Sequence, residues 1–214
     1  LIAALRQKYR REDLAIIGLS DSHKHDISAK LLKLGGNDFL AKPFVVEEFY
    51  CRVTQNTNMV GYVRQIRDSA IRDFLTGVYN RRYLFEVAAT LYGNARRGNV
   101  VLGALLIDAD HFKAINDTHG HEAGDAVLQA LASCVLRELR MSDIVARYGG
   151  EEFVCLAVLK ERQDLEVVCE RLRQAVAGLT VEVGGKTVPI TVSIGATCEL
   201  GECFEDMLRA ADQG

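Results

Sequence analysis

The run from Val100 to Ile107 constrains the fold most strongly, because it is almost entirely apolar. A strand of this composition is typically buried on both faces of its sheet, so helices must cover both sides. Directly after it, Asp108-Ala109-Asp110 places two carboxylates at the end of the predicted strand. We therefore expect an α/β domain in which this strand is central and its end carries chemistry.

Apolar periodicity predicts further elements of the same domain. Two amphipathic helices are expected, around residues 127–139 and 165–176. Strands are expected at 144–148 and 153–158, on either side of a tight turn at Gly149-Gly150.

One more strand is predicted near the carboxyl end, where apolar residues alternate strictly with others. The alternating residues are Val188, Ile190, Val192 and Ile194, and a hairpin at Gly184-Gly185 precedes them. The resulting order, βααββαββα, predicts a largely antiparallel central sheet with helices packed around it.

The first part of the chain has a different pattern. Ala15–Leu19 and Phe39–Ala41 are short apolar runs, and the helical spacing between them stops at Gly35-Gly36-Asn37. Two parallel strands joined by a crossover helix form a βαβ unit. The pattern over residues 45–72 then predicts a helix. Its loose apolar stripe would either join two domains or pair with a second copy of the chain.

Composition limits the function. The 214 residues carry a formal net charge of −3, which excludes broad attraction to nucleic acid or to an anionic membrane. No apolar run reaches membrane-spanning length, and no signal peptide is visible. Because the chain opens at Leu1 in a helix-like pattern, we interpret it as a fragment; the cysteines described next indicate a cytoplasmic protein. None of the six cysteines forms a CxxC pair, so reduced thiols are expected, although Cys198 and Cys203 could bridge under oxidation.

The carboxylates at the end of the apolar strand have two interpretations. Alternation points Asp108 and Asp110 to one face, where a hard cation such as magnesium would compensate their charge. Alternatively, Asp110 caps the helix that follows His111. The segment Gly149-Gly150-Glu151-Glu152 adds a turn with exposed backbone amides and two further carboxylates, which together favour a phosphate-binding turn beside a metal site.

These residues resemble the signature of the GGDEF diguanylate cyclases, present from Gly149 to Phe153 in its GGEEF form. The segment 108–117, continued by Gly120-His121 and Gly124-Asp125, is similar to the second motif of that family. The resemblance implies a cyclase/palm-like fold over residues 73–214, with a central, mostly antiparallel sheet flanked by helices. The family domain continues past Asp212 with a lysine-bearing helix and a final strand, so we expect its C-terminal end to be missing.

The resemblance also implies a role for each residue of the predicted site. The metal, magnesium with manganese as an alternative, would be held by Asp108, the Ala109 carbonyl, Glu151 and Glu152. The catalytic residues would be Glu151, assisting deprotonation of the attacking hydroxyl, and Lys113, stabilising charge on the phosphates. The substrate would be held by Asn116, His121, Asp125, Gly149 and Gly150.

The residue types suit recognition of guanine. One carboxylate, here Asp125, can accept hydrogen bonds from both N1–H and the amino group of guanine, and adenine lacks that pair of donors. A zinc site at His119 and His121 is the competing interpretation, but no cysteine or carboxylate at ligand spacing completes it.

Arg140-Met141-Ser142-Asp143 lies shortly before the glycine pair and resembles the RxxD site at which these cyclases bind their own product. Arginine can fork onto phosphate, and aspartate can accept the guanine donors. Arg171 resembles a second arginine of that allosteric site. The alternative is an exposed Arg/Asp spacing without function.

Residues 1–55 resemble the C-terminal part of a response-regulator receiver domain. Ser20, Phe39 and Lys42 would match its hydroxyl residue, switch aromatic and lysine, and the Lys42–Pro43 bond is expected to be cis. An unrelated α/β segment with a Lys-Pro turn is the alternative. Residues 56–72 would then be a helical linker, and a histidine kinase would be the expected upstream partner in two-component signalling.

The predicted activity is condensation of two GTP molecules into the bacterial second messenger cyclic di-GMP, with release of pyrophosphate. Because one domain holds one GTP, we expect a homodimer. A non-catalytic cyclic di-GMP receptor is the alternative, but a receptor needs no metal ligands such as Glu151. A cyclase that closes a single nucleotide is a third hypothesis, against which Asn116 and Asp125 argue.

Overall fold

The computed structural model describes residues 1–21 and 25–213. The chain divides into two compact units, Leu1–Ala70 and Ile71–Gly214. Within the described residues, every helix is too short or too polar to cross a membrane.

The first unit contains the predicted βαβ arrangement. Helix α1 (Ile2–Lys8) precedes β1 (Ile17–Ser20), and α2 (His25–Lys33) connects β1 to β2 (Asp38–Ala41). The two strands pair in parallel, with Ile17 opposite Asp38. The Lys42–Pro43 bond that follows β2 is cis, as expected.

Helix α3 (Val46–Ile71) is a single uninterrupted helix of 26 residues. It has no buried residue, and its exposed side chains include Met59, Tyr62 and Ile66. The division of this part of the chain at residues 55 and 56 is not marked by a break in the helix, and it stays a prediction.

The second unit is built around a five-stranded sheet with helices on both faces. Its elements are β3 (Tyr79–Asn80), α4 (Arg81–Arg96), β4 (Val101–Ala109), α5 (Phe112–His119), α6 (His121–Glu138), β5 (Ile144–Gly149), β6 (Glu152–Leu159), α7 (Asp164–Ala177), β7 (Thr180–Val183), β8 (Lys186–Pro189), β9 (Val192–Thr197) and α8 (Phe204–Asp212). The strand order is β3-β5-β6-β4-β9, and only the β3–β5 pair is parallel.

Strand β4 is buried on both faces, as its composition predicts. Leu105 and Ile107 belong to a core formed with α6 and α7, whereas Ala104 belongs to a core formed with Leu84 of α4 and Met207 of α8. Each fully buried leucine contributes about 1.5–3 kcal/mol relative to an exposed one. The predicted fold class, a mostly antiparallel sheet flanked by helices, is confirmed.

The predicted single strand over residues 188–194 is wrong, because the structure has two strands there. β8 ends at Pro189 and pairs with β7 in a separate hairpin, whereas β9 begins at Val192 and joins the main sheet beside β4. Proline has no backbone N–H to continue a ladder, so the chain can change sheets after it. The alternating apolar residues are still mostly buried, which is why the pattern looked continuous.

All six cysteines are free in the structure, so Cys198 and Cys203 are not bridged. Cys134 and Cys155 are buried. Burial also raises the pKa of the partly buried Cys169 to about 11, which keeps that thiol protonated near neutral pH.

Candidate active site

Asp108 lies inside β4 and not beyond its end. It stands opposite Glu152 of β6 and Ser193 of β9. The prediction that the strand ends at Ile107 is wrong because backbone pairing with both neighbours carries the ladder one or two residues further, whatever the side chain. Residues directly opposite in an antiparallel ladder point to the same face, so Asp108 and Glu152 are side-by-side carboxylates on the face covered by α4 and α8.

The site has a surplus of negative charge. Burial raises the pKa of Asp108, and the charges of Glu151 and Asp110 raise it further. Burial also raises the pKa of Glu152, with Asp108 adding to the rise and Arg81 opposing it. Crowded carboxylates shift in this way when no cation compensates them, so the arrangement favours binding of a positive ion.

Asp110 does not cap α5, and that prediction is wrong. The N-cap of α5 is His111, which has a left-handed φ of 57° and no side-chain cap hydrogen bond. The Asp110 carboxylate instead accepts hydrogen bonds from the hydroxyls of Thr191 (2.6 Å) and Ser193 (2.7 Å). The hydrogen bond from Thr191 has the largest effect, and together with that from Ser193 it lowers the pKa of Asp110 despite partial burial. The ionised Asp110 carboxylate therefore holds the segment after β4 against the residues that begin β9.

The glycine turn is displaced by one residue from its predicted position. Gly149 still pairs with Glu152 in the ladder, so Gly150 and Glu151 form the two-residue connection between β5 and β6. Gly150 has a φ of 40°, a region that side chains disfavour. Glu151 therefore sits in the turn itself, and Glu152 begins the next strand beside Asp108.

The predicted nucleotide residues lie on α5 and α6. Lys113, His121 and Asp125 are exposed, and Asn116 is half-buried. Gly124 brings Asn116 close to α6, because a Cβ atom at Gly124 would lie 2.0 Å from Asn116 Oδ1. The structure thus places Asn116 directly against the residue that precedes Asp125.

The oxygen donors at this end of β4 suit a hard divalent cation. Within residues 1–21 and 25–213, no three His, Cys, Asp or Glu side chains converge as a ready ligand set. Magnesium is commonly held by one or two carboxylates, completed by waters and substrate phosphates. Asp108, with a glutamate of the turn and a main-chain carbonyl such as that of Ala109, matches that requirement.

A separate cleft of about 250 Å³ contains Arg140, Asp143 and Arg171 together, with Lys160 also on its wall. The Asp143 carboxylate accepts hydrogen bonds from the backbone N–H groups of Arg140 (2.9 Å) and Val158 (3.2 Å). Arg171 forms an ion pair with Glu138 (3.3 Å). Asp143 therefore fixes the loop through backbone hydrogen bonds, and in the part of the chain that the structure describes no ion pair joins it to the Arg140 guanidinium.

Two residues near the turn were not predicted as part of a site. Arg147 contacts the turn and forms an ion pair of 3.2 Å with Asp73, which is 74 positions away in sequence. Burial acts to raise the pKa of Asp73, but hydrogen bonds from Thr76 and the charge of Arg147 outweigh it and lower the pKa. The spacing Asp73-x-x-Thr76, typical of a side chain that hydrogen-bonds its own turn, was the available signal.

Comparison with known proteins identifies the family. The family described as "Diguanylate cyclase, GGDEF domain" matches residues 70–214. This chain belongs to the GGDEF family. The GGDEF match supports cyclic di-GMP synthesis as the general function of the second unit, and the carboxylates and glycine turn described above fall inside it.

Three relatives of this GGDEF protein have names that refer to different activities or roles. It is 36% identical over 223 residues to "Response regulator PleD" of Caulobacter vibrioides, covering 99% of this chain and 49% of PleD. It is 39% identical over 148 residues to "Diguanylate cyclase DgcP" of Pseudomonas aeruginosa, covering 69% of this chain and 22% of DgcP. It is 32% identical over 169 residues to "Cyclic di-GMP phosphodiesterase NbdA" of the same species, covering 75% and 22%. The chain therefore spans about half or less of each relative.

Two solved structures have a fold similar to that of this GGDEF protein. Diguanylate cyclase SiaD of Pseudomonas aeruginosa, in complex with its activator SiaC, has a TM-score of 0.66 at 33% identity, covering 88% of this chain and 68% of that one. The coiled coil and GGDEF domain of DgcB from Caulobacter crescentus, in complex with c-di-GMP, has a TM-score of 0.65 at 28% identity, covering 77% and 91%.

Proposed function

We propose that this chain is a diguanylate cyclase that condenses two GTP molecules into cyclic di-GMP. The observation that carries the proposal is the pair of facing carboxylates, Asp108 and Glu152, directly beside the Gly150-Glu151 turn. Unlike a pure product receptor, such a site provides both metal ligands and backbone amides for a phosphate.

Each predicted residue has a role in this scheme. Asp108, the Ala109 carbonyl, Glu151 and Glu152 would hold a divalent metal, magnesium or manganese, which supplies charge neutralisation of the phosphates and a more acidic hydroxyl. The backbone of Gly149 and Gly150 faces the phosphates, and the Lys113 ammonium adds positive charge. Glu151 accepts the proton of the attacking hydroxyl.

In each half-reaction the 3′ oxygen of one GTP forms a bond to the α-phosphorus of another. The bond from that phosphorus to the pyrophosphate oxygen breaks, and pyrophosphate leaves. The second attack, in the opposite direction, closes the ring. Two condensations therefore release two pyrophosphates and two protons.

Guanine selection is assigned to the α5–α6 pair. Asp125 would accept the N1–H and amino protons of the base, and Asn116 and His121 would add further contacts. Adenine lacks this pair of donors, so it would leave the Asp125 carboxylate without these two hydrogen bonds.

Product inhibition is assigned to the cleft of Arg140, Asp143 and Arg171. The structure supports it in one respect: within the described residues, the Arg140 guanidinium makes no hydrogen bond or ion pair, while Asp143 is held by backbone N–H groups. A guanidinium of this kind is well suited to a phosphate of cyclic di-GMP.

We assign the first unit, up to about residue 55, to the C-terminal part of a receiver domain that regulates the cyclase. Support comes from the parallel β1–β2 pair and from Lys42, which forms an ion pair with Asp21 (3.6 Å) at the carboxyl edge of those strands. The PleD relative is named a response regulator, which fits this assignment. A histidine kinase would then act upstream in a cytoplasmic pathway.

One incubation separates the proposal from its alternatives. The protein is incubated with GTP and Mg²⁺ or Mn²⁺, and the products are separated by chromatography, with the Glu151→Ala variant as the control. Cyclic di-GMP formed only by the wild type supports the proposal. A cyclic mononucleotide, or binding of cyclic di-GMP without turnover, would establish one of the alternatives instead. The experiment is needed because a similar protein, NbdA, is named for another activity, that of a phosphodiesterase.

A further inference from the structure

The turn that carries Glu151 is not held by a regular β-ladder. Arg147 pairs with Phe153 and Gly149 pairs with Glu152, and the register shifts between these two pairs. An irregularity of this kind leaves local backbone groups without ladder partners and bends the strand. The ladder alone therefore does not fix the conformation of the turn, and further contacts are needed to do so.

The Arg147 side chain supplies that constraint. Its Nε and Nη2 atoms donate to the Gly150 carbonyl at 2.9 and 2.7 Å, and its Nη1 atom donates to the two Asp73 carboxylate oxygens at 3.2 and 3.4 Å. Only 17% of the Arg147 side chain and 15% of the Asp73 side chain is exposed. A planar guanidinium can make both sets of bonds at once, whereas a lysine ammonium cannot reproduce the fork.

Asp73 is itself held in place. Its Oδ1 atom accepts hydrogen bonds from the backbone N–H (3.0 Å) and the hydroxyl (2.7 Å) of Thr76. Its backbone N–H donates to the Val78 carbonyl at 2.8 Å, and its carbonyl accepts from Gly77 N–H at 2.9 Å. Asp73 is thus a rigid anchor two residues after α3 ends.

We infer that Arg147 and Asp73 are positioning residues that set the orientation of the Gly150–Glu151 peptide in the phosphate-binding turn. In a trans peptide the carbonyl and the following N–H point in opposite directions. Holding the Gly150 carbonyl toward Arg147 therefore directs the Glu151 N–H away from Arg147, to the other side of the turn, where it can donate to a phosphate. This inference rests on the proposed function, because it assigns the same turn to GTP.

The test compares wild type with Arg147→Lys, Arg147→Ala, Asp73→Asn and the Asp73→Asn/Arg147→Ala double variant. For each we would measure kcat, KM for GTP, affinity for a fluorescent non-hydrolysable GTP analogue, and thermal unfolding. We expect kcat to fall about 10- to 100-fold in Arg147→Lys, the size of effect that follows from misplaced reacting groups. Asp73→Asn should lower kcat less, and in the Arg147→Ala background it should add nothing.

The matched control is Arg173→Lys, which alters an exposed arginine–glutamate pair on α7. It should leave every readout unchanged. Wild-type kcat in Arg147→Lys, or independent additive losses in the double variant, would overturn the inference. A fall in kcat that simply follows the unfolded fraction would also overturn it, since it would show a structural role.

The outcome for the proposed function is separate. If the wild type binds the analogue but makes no cyclic di-GMP, the proposed function fails. The positioning role is then decided by analogue affinity, which should be weaker in Arg147→Lys than in the wild type; equal affinity would overturn the inference. If the wild type binds no nucleotide at all, both fail.

Discussion

The contact between Gly124 and Asn116 allows the predicted guanine site to be tested without touching a predicted contact residue. Gly124→Ala would put a Cβ atom 2.0 Å from Asn116 Oδ1 and 3.1 Å from Phe112 Cζ. The nearest obstacle is the end of a side chain and not backbone, so Asn116 can move aside. The prediction is that guanine binding weakens while the fold persists.

The magnitudes can be worked from two opposing effects. Replacing a helical glycine by alanine stabilises the helix by about 0.5–1 kcal/mol. Displacing Asn116 removes one hydrogen bond to the base, a net loss of about 0.5–1.5 kcal/mol and so roughly a two- to tenfold weaker affinity for GTP. We therefore expect a higher KM for GTP with a melting temperature close to that of the wild type.

The assay pairs GTP-analogue calorimetry with thermal unfolding. The control is Gly93→Ala in α4, where the nearest atom to the new Cβ is Arg97 Nη1 at 3.7 Å, so the helix gains stability and affinity stays constant. Unchanged GTP affinity in Gly124→Ala would refute the assignment of guanine to Asn116. A melting temperature lowered by many degrees would show that the steric clash at residue 124 disturbs the packing of the domain.

Three further predictions concern other parts of the second unit. Glu151→Ala should abolish product formation with less than about 0.5 kcal/mol change in stability, as for most surface substitutions. Wild-type turnover would exclude Glu151 as a metal ligand, and the control is Glu86→Ala, which changes an exposed residue of α4. Arg140→Ala should weaken cyclic di-GMP binding by about 1.5–3 kcal/mol without lowering the initial rate; unchanged product affinity in calorimetry would leave the cleft without that role. Because the folded pKa of Asp73 is below its ordinary value of 3.8, the wild type should be more stable than Asp73→Asn at neutral pH, and this advantage should disappear as the pH falls through the folded pKa. Denaturant unfolding at several pH values measures it, and a difference that does not depend on pH would contradict the ion-pair explanation.

The sequence predicted those features of the fold that depend on local apolar patterning. The run ending at Ile107 correctly placed a strand with both faces buried, and spacing alone located α6 and α7. The ends of the strands were predicted less accurately, because they depend on pairing partners. Pairing with β9 extends β4 through Asp108 to Ala109, and neither residue type indicates a strand. The change of sheets after Pro189 was missed because burial continued across the break.

In the candidate site too, local features could be predicted from the sequence and long-range contacts could not. Its carboxylates and glycines are close in sequence to recognisable motifs, so they could be identified before the structure was known. The Asp73–Arg147 contact joins residues 74 positions apart, and no periodicity connects them. Asp110 was misassigned because an aspartate before a helix is usually a cap, and the hydroxyls that capture it lie on a distant strand.

The proposed reaction also predicts how activity depends on protein concentration. In the proposed scheme the second unit binds one GTP, at the Gly150-Glu151 turn and the facing pair of Asp108 and Glu152. Two GTP molecules must react, so a second copy of the chain would supply the other, and a two-fold product suits a symmetric pair. The exposed Met59, Tyr62 and Ile66 of α3, spaced three and four residues apart, form an apolar strip suited to pairing with the same helix of that copy. Specific activity should therefore fall on dilution, and Tyr62→Glu/Ile66→Glu should move that fall to a higher protein concentration without changing the unfolding of the second unit. Activity per molecule that stays constant down to concentrations where ultracentrifugation finds only monomer would refute a reaction between two chains.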